Sequence, residues 1–273
     1  MFDTRVPNVA VVGGYVVMRL AMVAQWLRAS HADPERCPTA RRYAAGITVL
    51  QVAWIGTLFL PSFRPLVFFA LAAAEALVPM WAERVARTTW HPHHITERYG
   101  LLTLIVLGES ILSATAAVQS AMAAGERLSS LAPVIAGGML IVYSLWWIYF
   151  DRPSHDLLTS YRRAFFWGYG HYFVYAAAAA IGAGLGVAVD RAGAHASIGP
   201  VEAGLSVAVP VAVFLVSLWV LLDRSEYGWT RSFGPVAAAL VLLTAFTAQP
   251  VLWTGVTLAS LVALKLVVHR GIA

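Results

Sequence analysis

The stretch LAPVIAGGMLIVYSLWWIYF, residues 131–150, decides the class of this protein. It carries no charge along its whole length. A bilayer core about 30 Å thick is crossed by about 20 apolar residues rising 1.5 Å each, which is what this stretch supplies. It closes on Trp146, Trp147 and Tyr149 just before Asp151. Amphipathic rings settle at the membrane–water boundary, so the cluster marks an interface. Working outward, similar runs recur at 6–28, 43–61, 65–83, 98–123, 163–190, 200–222, 233–249 and 251–268. Pro250 between the last two marks either a tight turn or a kink in one longer segment. A membrane barrel would alternate apolar and polar residues, and these runs do not. The expected fold is therefore all-α: a polytopic helical membrane protein of about nine transmembrane helices, forming one helical domain over 1–273.

Composition agrees. The chain is 59% hydrophobic and 12% charged with a mean hydropathy of +0.70, against about 45–50% and about 25% for soluble domains. That excludes disordered, collagen-like and disulfide-scaffold classes, and it disfavours a soluble enzyme. A net charge of +5 would in a soluble protein point to nucleic acid or an acidic partner. Sorting the cations by connection removes that reading. Arg28, Arg36, Arg41 and Arg42; Arg84, Arg87 and Arg98; Arg152, Arg162 and Arg163; Arg224 and Arg231; and Lys265 and Arg270 all fall on one side, fourteen in number. Arg5, Arg64, Arg127 and Arg191 fall on the other, and Arg19 sits inside a span. Positive loops stay cytoplasmic, so the N-terminus is expected outside and the C-terminus in the cytoplasm of a multi-pass inner (plasma) membrane protein, with lipids and no nucleic acid as partners. No basic leader with a cleavage motif precedes a short apolar core. The lone Cys37 permits no intrachain disulfide. No Walker loop, dinucleotide fingerprint, HExxH or paired-Cys metal pattern occurs, so neither a cofactor nor an enzyme is expected.

Three charges lie where charge is expensive. Glu75 is ten residues past Pro65, Glu109 eleven past Arg98, and Arg19 thirteen into the first span, all near the midplane. A central Asp, Lys or Arg costs about 2.5–3.5 kcal/mol on the insertion scale. The three must face the bundle interior, pair or become neutral, and a carboxyl that can become neutral is suited to carrying a proton. They form a candidate ion, proton or polar-solute site; the plainer reading is a packing ion pair of Arg19 with Glu75 or with Glu109. At 100° per residue, Arg98, Leu102, Ile105, Glu109, Ser113, Ala116 and Ser120 share one narrow face, a candidate cavity lining. Alternatively the serines bond their own helix and the face merely packs. His171 is a further candidate for proton relay, or else a hydrogen-bonded core histidine. At the cytoplasmic mouth, His91, His93, His94, Glu97 and Arg98 cluster within WHPHHITERY, residues 90–99. A divalent ion is chemically conceivable there, but a pH-sensitive or headgroup-contacting cluster is the better reading, and no metal is assigned. The glycines 182, 184 and 186 mark a packing face.

At WHPHHITERYGLLTLIVLGESIL, residues 90–112, the sequence resembles the bacterial low temperature requirement A (LtrA) family of multi-pass membrane proteins. GYVVMRLAMVAQWLR (14–28), WWIYFDRP (146–153) and RRAFFWGYGHY (162–172) are similar to that family's other blocks. The resemblance implies a link to growth in the cold and no defined biochemical activity. It also implies further N-terminal spans with a Glu-Leu-Phe-Phe-Asp-like block, which this chain is expected to lack. A weak echo between residues 14–28 and 210–224 raises the idea of two six-span repeats, with 1–89 the last half of the first and 90–273 the second. The function expected is transport of an ion, proton or small polar solute through midplane carboxylates. The alternative is a non-catalytic membrane scaffold or sensor whose buried charges serve packing. Oligomeric state is left open.

Overall fold

The computed structural model describes residues 9–60, 65–151, 154–193, 198–223 and 232–272. Arg5, Arg64, Arg152, Arg224 and Arg231 lie outside them. The described residues form α-helices joined by short turns, with no strand: α1 (Val9–Ala32), α2 (Cys37–Gly56), α3 (Pro65–Ala82), α4 (Pro92–Ala123), α5 (Leu128–Phe150), α6 (Tyr161–Ala192), α7 (Pro200–Leu218), α8 (Phe233–Thr244) and α9 (Pro250–Ile272). The helix starts are written in the sequence. Pro38, Pro92 and Pro200 occupy the first turns of α2, α4 and α7, where the missing N–H is no loss. Ser160 caps α6 by accepting the Arg163 N–H at 3.4 Å. Gly125, at φ 94°, turns the chain between α4 and α5 in a conformation that favours glycine.

Seven of the described helices are long and apolar enough to cross a membrane. The two other expected spans differ for physical reasons. α2 carries Arg41, Arg42 and Gln51 within its 20 residues. α8 has 12 residues, about 18 Å of helix, against a core of about 30 Å. α4 and α6, each 32 residues long, extend beyond the spans expected for them, so the histidine cluster lies at the start of α4.

The chain divides into two compact units, Met1–Trp90 and His91–Ala273. In the first, α2 packs against both α1 and α3. Val78 and Trp81 come up against Gly46, where a side chain would crowd them. The segment after α3 is fastened to α2: Thr39 Oγ1 donates to the Ala86 carbonyl at 2.6 Å and accepts the Ala86 N–H at 3.1 Å. Glu83, buried, accepts from Tyr43 Oη at 3.0 Å and from the Thr88 N–H at 2.8 Å. Between α1 and α2, the hydrogen-bonded Arg36 side chain holds the Asp33 carboxyl below its usual pKa.

In the second unit α6 is central, packed on α4 and on α7, while α5 pairs with α9 and α7 with α8. Two glycines make this arrangement. A Cβ on Gly182 would meet Ser110 of α4, and one on Gly184 would meet the Ser206 carbonyl of α7. Residues two apart on a helix are separated by about 200°, so the pair faces two different neighbours. Gly137 of α5 and Gly255 of α9 do the same for a second crossing: a Cβ on Gly137 would come within 2.5 Å of the Val251 carbonyl, and one on Gly255 within 2.6 Å of the Gly137 oxygen. Small residues admit such close backbone approach in lipid. Ile141, Leu145, Val174, Ile181, Phe214 and Leu258 fill the core between them. The outward faces remain apolar, with Val17, Phe69, Ile105, Phe173 and Leu243 exposed, as lipid contact requires.

Candidate functional site

Glu75 stands eleventh in α3 and gathers the polar groups of the first unit. Its Oε2 accepts from Arg19 Nη2 of α1 at 2.8 Å and from the Tyr15 hydroxyl one turn earlier on the same helix. Its Oε1 accepts from Gln51 Nε2 and from Trp54 Nε1 of α2, each at 3.0 Å. Tyr15 and Gln51 thus come from separate helices to opposite oxygens of one carboxylate. The ion pair is well shielded, with Arg19 and Glu75 side chains 15% and 12% exposed. Gln51 is 2% exposed. Aromatic rings wall the cluster: Trp54 meets Tyr15 edge-on at 5.9 Å and Phe68 at 5.6 Å, and the Arg19 guanidinium lies 5.6 Å from the Tyr15 ring centre. Among the described residues, Arg19 Nε and Gln51 Oε1 are buried without a hydrogen-bond partner.

The structure therefore brings Arg19 and Glu75 together and settles which glutamate pairs with the arginine. Glu109, Ser113 and His171 are not gathered into one site. The buried face of α4 carries Gly100, Thr103, Leu107, Ser110 and Ala121. It lies roughly opposite the polar stripe, so Glu109 and Ser113 are exposed. Spacing defines which residues share a face; the small residues on the other side, which admit α6, decide which face turns inward. The serine that matters for packing is Ser110, whose Oγ donates to the Ala178 carbonyl of α6 at 2.9 Å. The near end of the stripe lines a cavity: Arg98 and Leu102, with Tyr99, Gly168, Tyr172 and Tyr175, border about 330 Å³.

His171 is fully buried in α6. Its Nδ1 lies 2.8 Å from the Trp167 carbonyl, which requires a proton there, so Nε2 accepts from the Tyr149 hydroxyl at 3.0 Å. Tyr99, Trp167 and Tyr175 surround the ring. Both nitrogens are satisfied, the arrangement of a core histidine. Tyr149→Phe leaves Nε2 unpaired and is expected to cost about 1–3 kcal/mol, read as a lowered unfolding midpoint in detergent. An unchanged midpoint would mean that the ring finds another partner.

The mouth residues are exposed and loosely associated. His94 Nδ1 lies 3.6 Å from Glu97 Oε2, the His91 and His94 rings are 5.0 Å apart, and His93 meets His155 at 5.4 Å. Arg98 sits at the wall of the cavity beside Tyr99. Among the described residues no group of three or more His, Cys, Asp or Glu is placed to hold a metal ion. One further pair was not foreseen: Lys265, counted above as a terminal loop cation, is 6% exposed and lies 4.0 Å from Asp151 at the end of α5.

Long apolar helices, with a guanidinium–carboxylate pair joining two of them, define a multi-pass helical membrane protein. The family model described as Bacterial low temperature requirement A protein (LtrA) matches residues 1–269, and the chain belongs to that family. No curated protein and no solved structure is significantly similar to it.

Proposed function

We propose that the chain carries a proton, a cation or a small polar solute across the bacterial plasma membrane, with Glu75 as the binding group. The observation that supports this is the convergence of Arg19, Tyr15, Gln51 and Trp54 on one carboxylate within membrane-spanning helices. Ionisable groups at such depth are rare and mark ion or proton pathways among other functional sites. In this reading Arg19 is the counter-ion present when no cargo is bound, and a proton or cation reaching Glu75 takes its place. Tyr15, Gln51 and Trp54 hold the carboxylate in position throughout. The protein performs no chemistry on its cargo, and its C-terminus is cytoplasmic.

The test is flux. Purified protein in liposomes, driven by a membrane potential and read with proton-, sodium- and potassium-sensitive dyes, is expected to conduct above empty vesicles. Glu75→Gln should return flux to the empty-vesicle level. Undiminished flux through a folded Glu75→Gln protein would remove the carboxylate from the mechanism. A second reading, a non-catalytic membrane scaffold or sensor, is favoured by the same carboxylate's being fully paired at rest. In that case exchanging Arg19 and Glu75 restores both stability and growth in the cold, whereas a conduction site placed on the wrong helix does not.

A further inference from the structure

At the end of the second unit where α5, α7 and α9 begin lies a cavity of about 360 Å³, independent of the Glu75 cluster. Arg191, in the last turn of α6, is in its wall, with Ser130 of α5 and Gln249 just before α9. Pro200 and Pro250 place the opening turns of α7 and α9 there as well. Arg191 is half-buried, its Nε is shut off from solvent, and its side chain makes no hydrogen bond or ion pair among the described residues. The nearby carboxylates do not neutralise it: Asp190 and Glu202 are exposed, neither lines the cavity, and Glu202 lies against Gly199. A shielded cation without an anion is costly, and helix N-termini add partial positive charge to the same space. The chamber is built for an anion.

Val134 belongs to a second wall too. Beyond it an apolar groove of about 270 Å³ runs between α4 and α5 over α6, past Val118, Gly138, Val142 and Leu185. Along α5 it extends from Val134 to Tyr143, about 14 Å by helix rise. A free anion has no use for such a slot, and a neutral lipid has none for the arginine. Lying side by side with Val134 in both walls, the two match an amphiphile with a charged head.

We propose that this end of the second unit binds a phospholipid with an anionic headgroup. Its phosphate lies against Arg191, with Gln249 beside it in the cavity wall, and one acyl chain fills the groove between α4 and α5. The test is native mass spectrometry of the delipidated full chain, titrated with phosphatidylglycerol and with phosphatidylcholine of the same acyl chains. Wild type is expected to bind phosphatidylglycerol about tenfold more tightly, because phosphatidylcholine brings with its phosphate a choline cation, which the positive charge of Arg191 and the helix N-termini disfavours. Arg191→Gln should erase that preference and Arg191→Lys should keep most of it. Thr115→Phe, at the exposed rim of the groove, should weaken both lipids alike; Ala114→Phe is the second plug should the first misfold. Equal binding of the two lipids by wild type would overturn the proposal, as would a preference surviving in Arg191→Gln. Competition by inorganic phosphate together with indifference to both plugs would also overturn it, by marking a site for free anions.

Discussion

Glu75→Ala is expected to destabilise the first unit by about 3–5 kcal/mol, the cost of breaking a buried ion pair from one side. Arg19 is left with its charge in an apolar bundle, and Gln51 and Trp54 lose the acceptor that satisfied them. Glu75→Gln keeps one acceptor oxygen and should cost less. The informative partner is Arg19→Leu combined with Glu75→Leu. Replacing both members of a buried pair by apolar residues of similar size is often neutral or better, so this double variant should recover the part of the loss due to the unpaired Arg19 charge, while Gln51 and Trp54 stay without their acceptor. Denaturant unfolding in mixed micelles checks the series. A single Glu75→Ala variant as stable as wild type would mean that the pair is not shielded. The double variant also separates the two functional readings, since it lacks both charges of the cluster: a carrier falls silent, while a scaffold still supports growth in the cold.

The second large effect belongs to the glycine crossings. Gly137→Ala and Gly184→Ala are each expected to cost about 1–3 kcal/mol, as overpacking does. In both cases the new methyl meets backbone atoms, Val251 for one and Ser206 for the other, which cannot rotate away. Gly255→Ala should behave like Gly137→Ala, and the two together should cost less than their separate losses added, because the residues face each other across one contact. Gly186 supplies the control. A Cβ there meets nothing within 4 Å, so Gly186→Ala should be neutral or stabilising by up to about 1 kcal/mol through helix propensity. Thermal unfolding in detergent reads all four. A loss at Gly186 equal to that at Gly184 would mean that propensity, not contact, governs the run.

These cases mark what the sequence could disclose. The helices were legible because length and hydropathy suffice for them, and the packing role of the α6 glycines followed from residue size. That Gly182 and Gly184 serve different neighbours while Gly186 serves none was not, since it depends on where α4 and α7 lie. Arg19 and Glu75 stood out as charges in apolar runs, but choosing between Glu75 and Glu109 required knowing which face of α4 turns inward. Tyr15 and Trp54 gave no signal, being ordinary aromatic residues of apolar helices. Gln51 gave a faint one, an amide well inside α2, which charge-based reasoning passed over. Arg191 was visible only as a loop cation, because its isolation from carboxylates is a matter of packing.

The two glycines of α6 also bear on how the second unit can move. With backbone against neighbour on both flanks, α6 has no slack in which to roll: turning away from α4 drives Gly184 into α7, and the reverse turn drives Gly182 into Ser110. α4, α6 and α7 are therefore a single moving part, and any motion the second unit makes must be taken up at looser joints, such as the short α8 or the groove between α4 and α5.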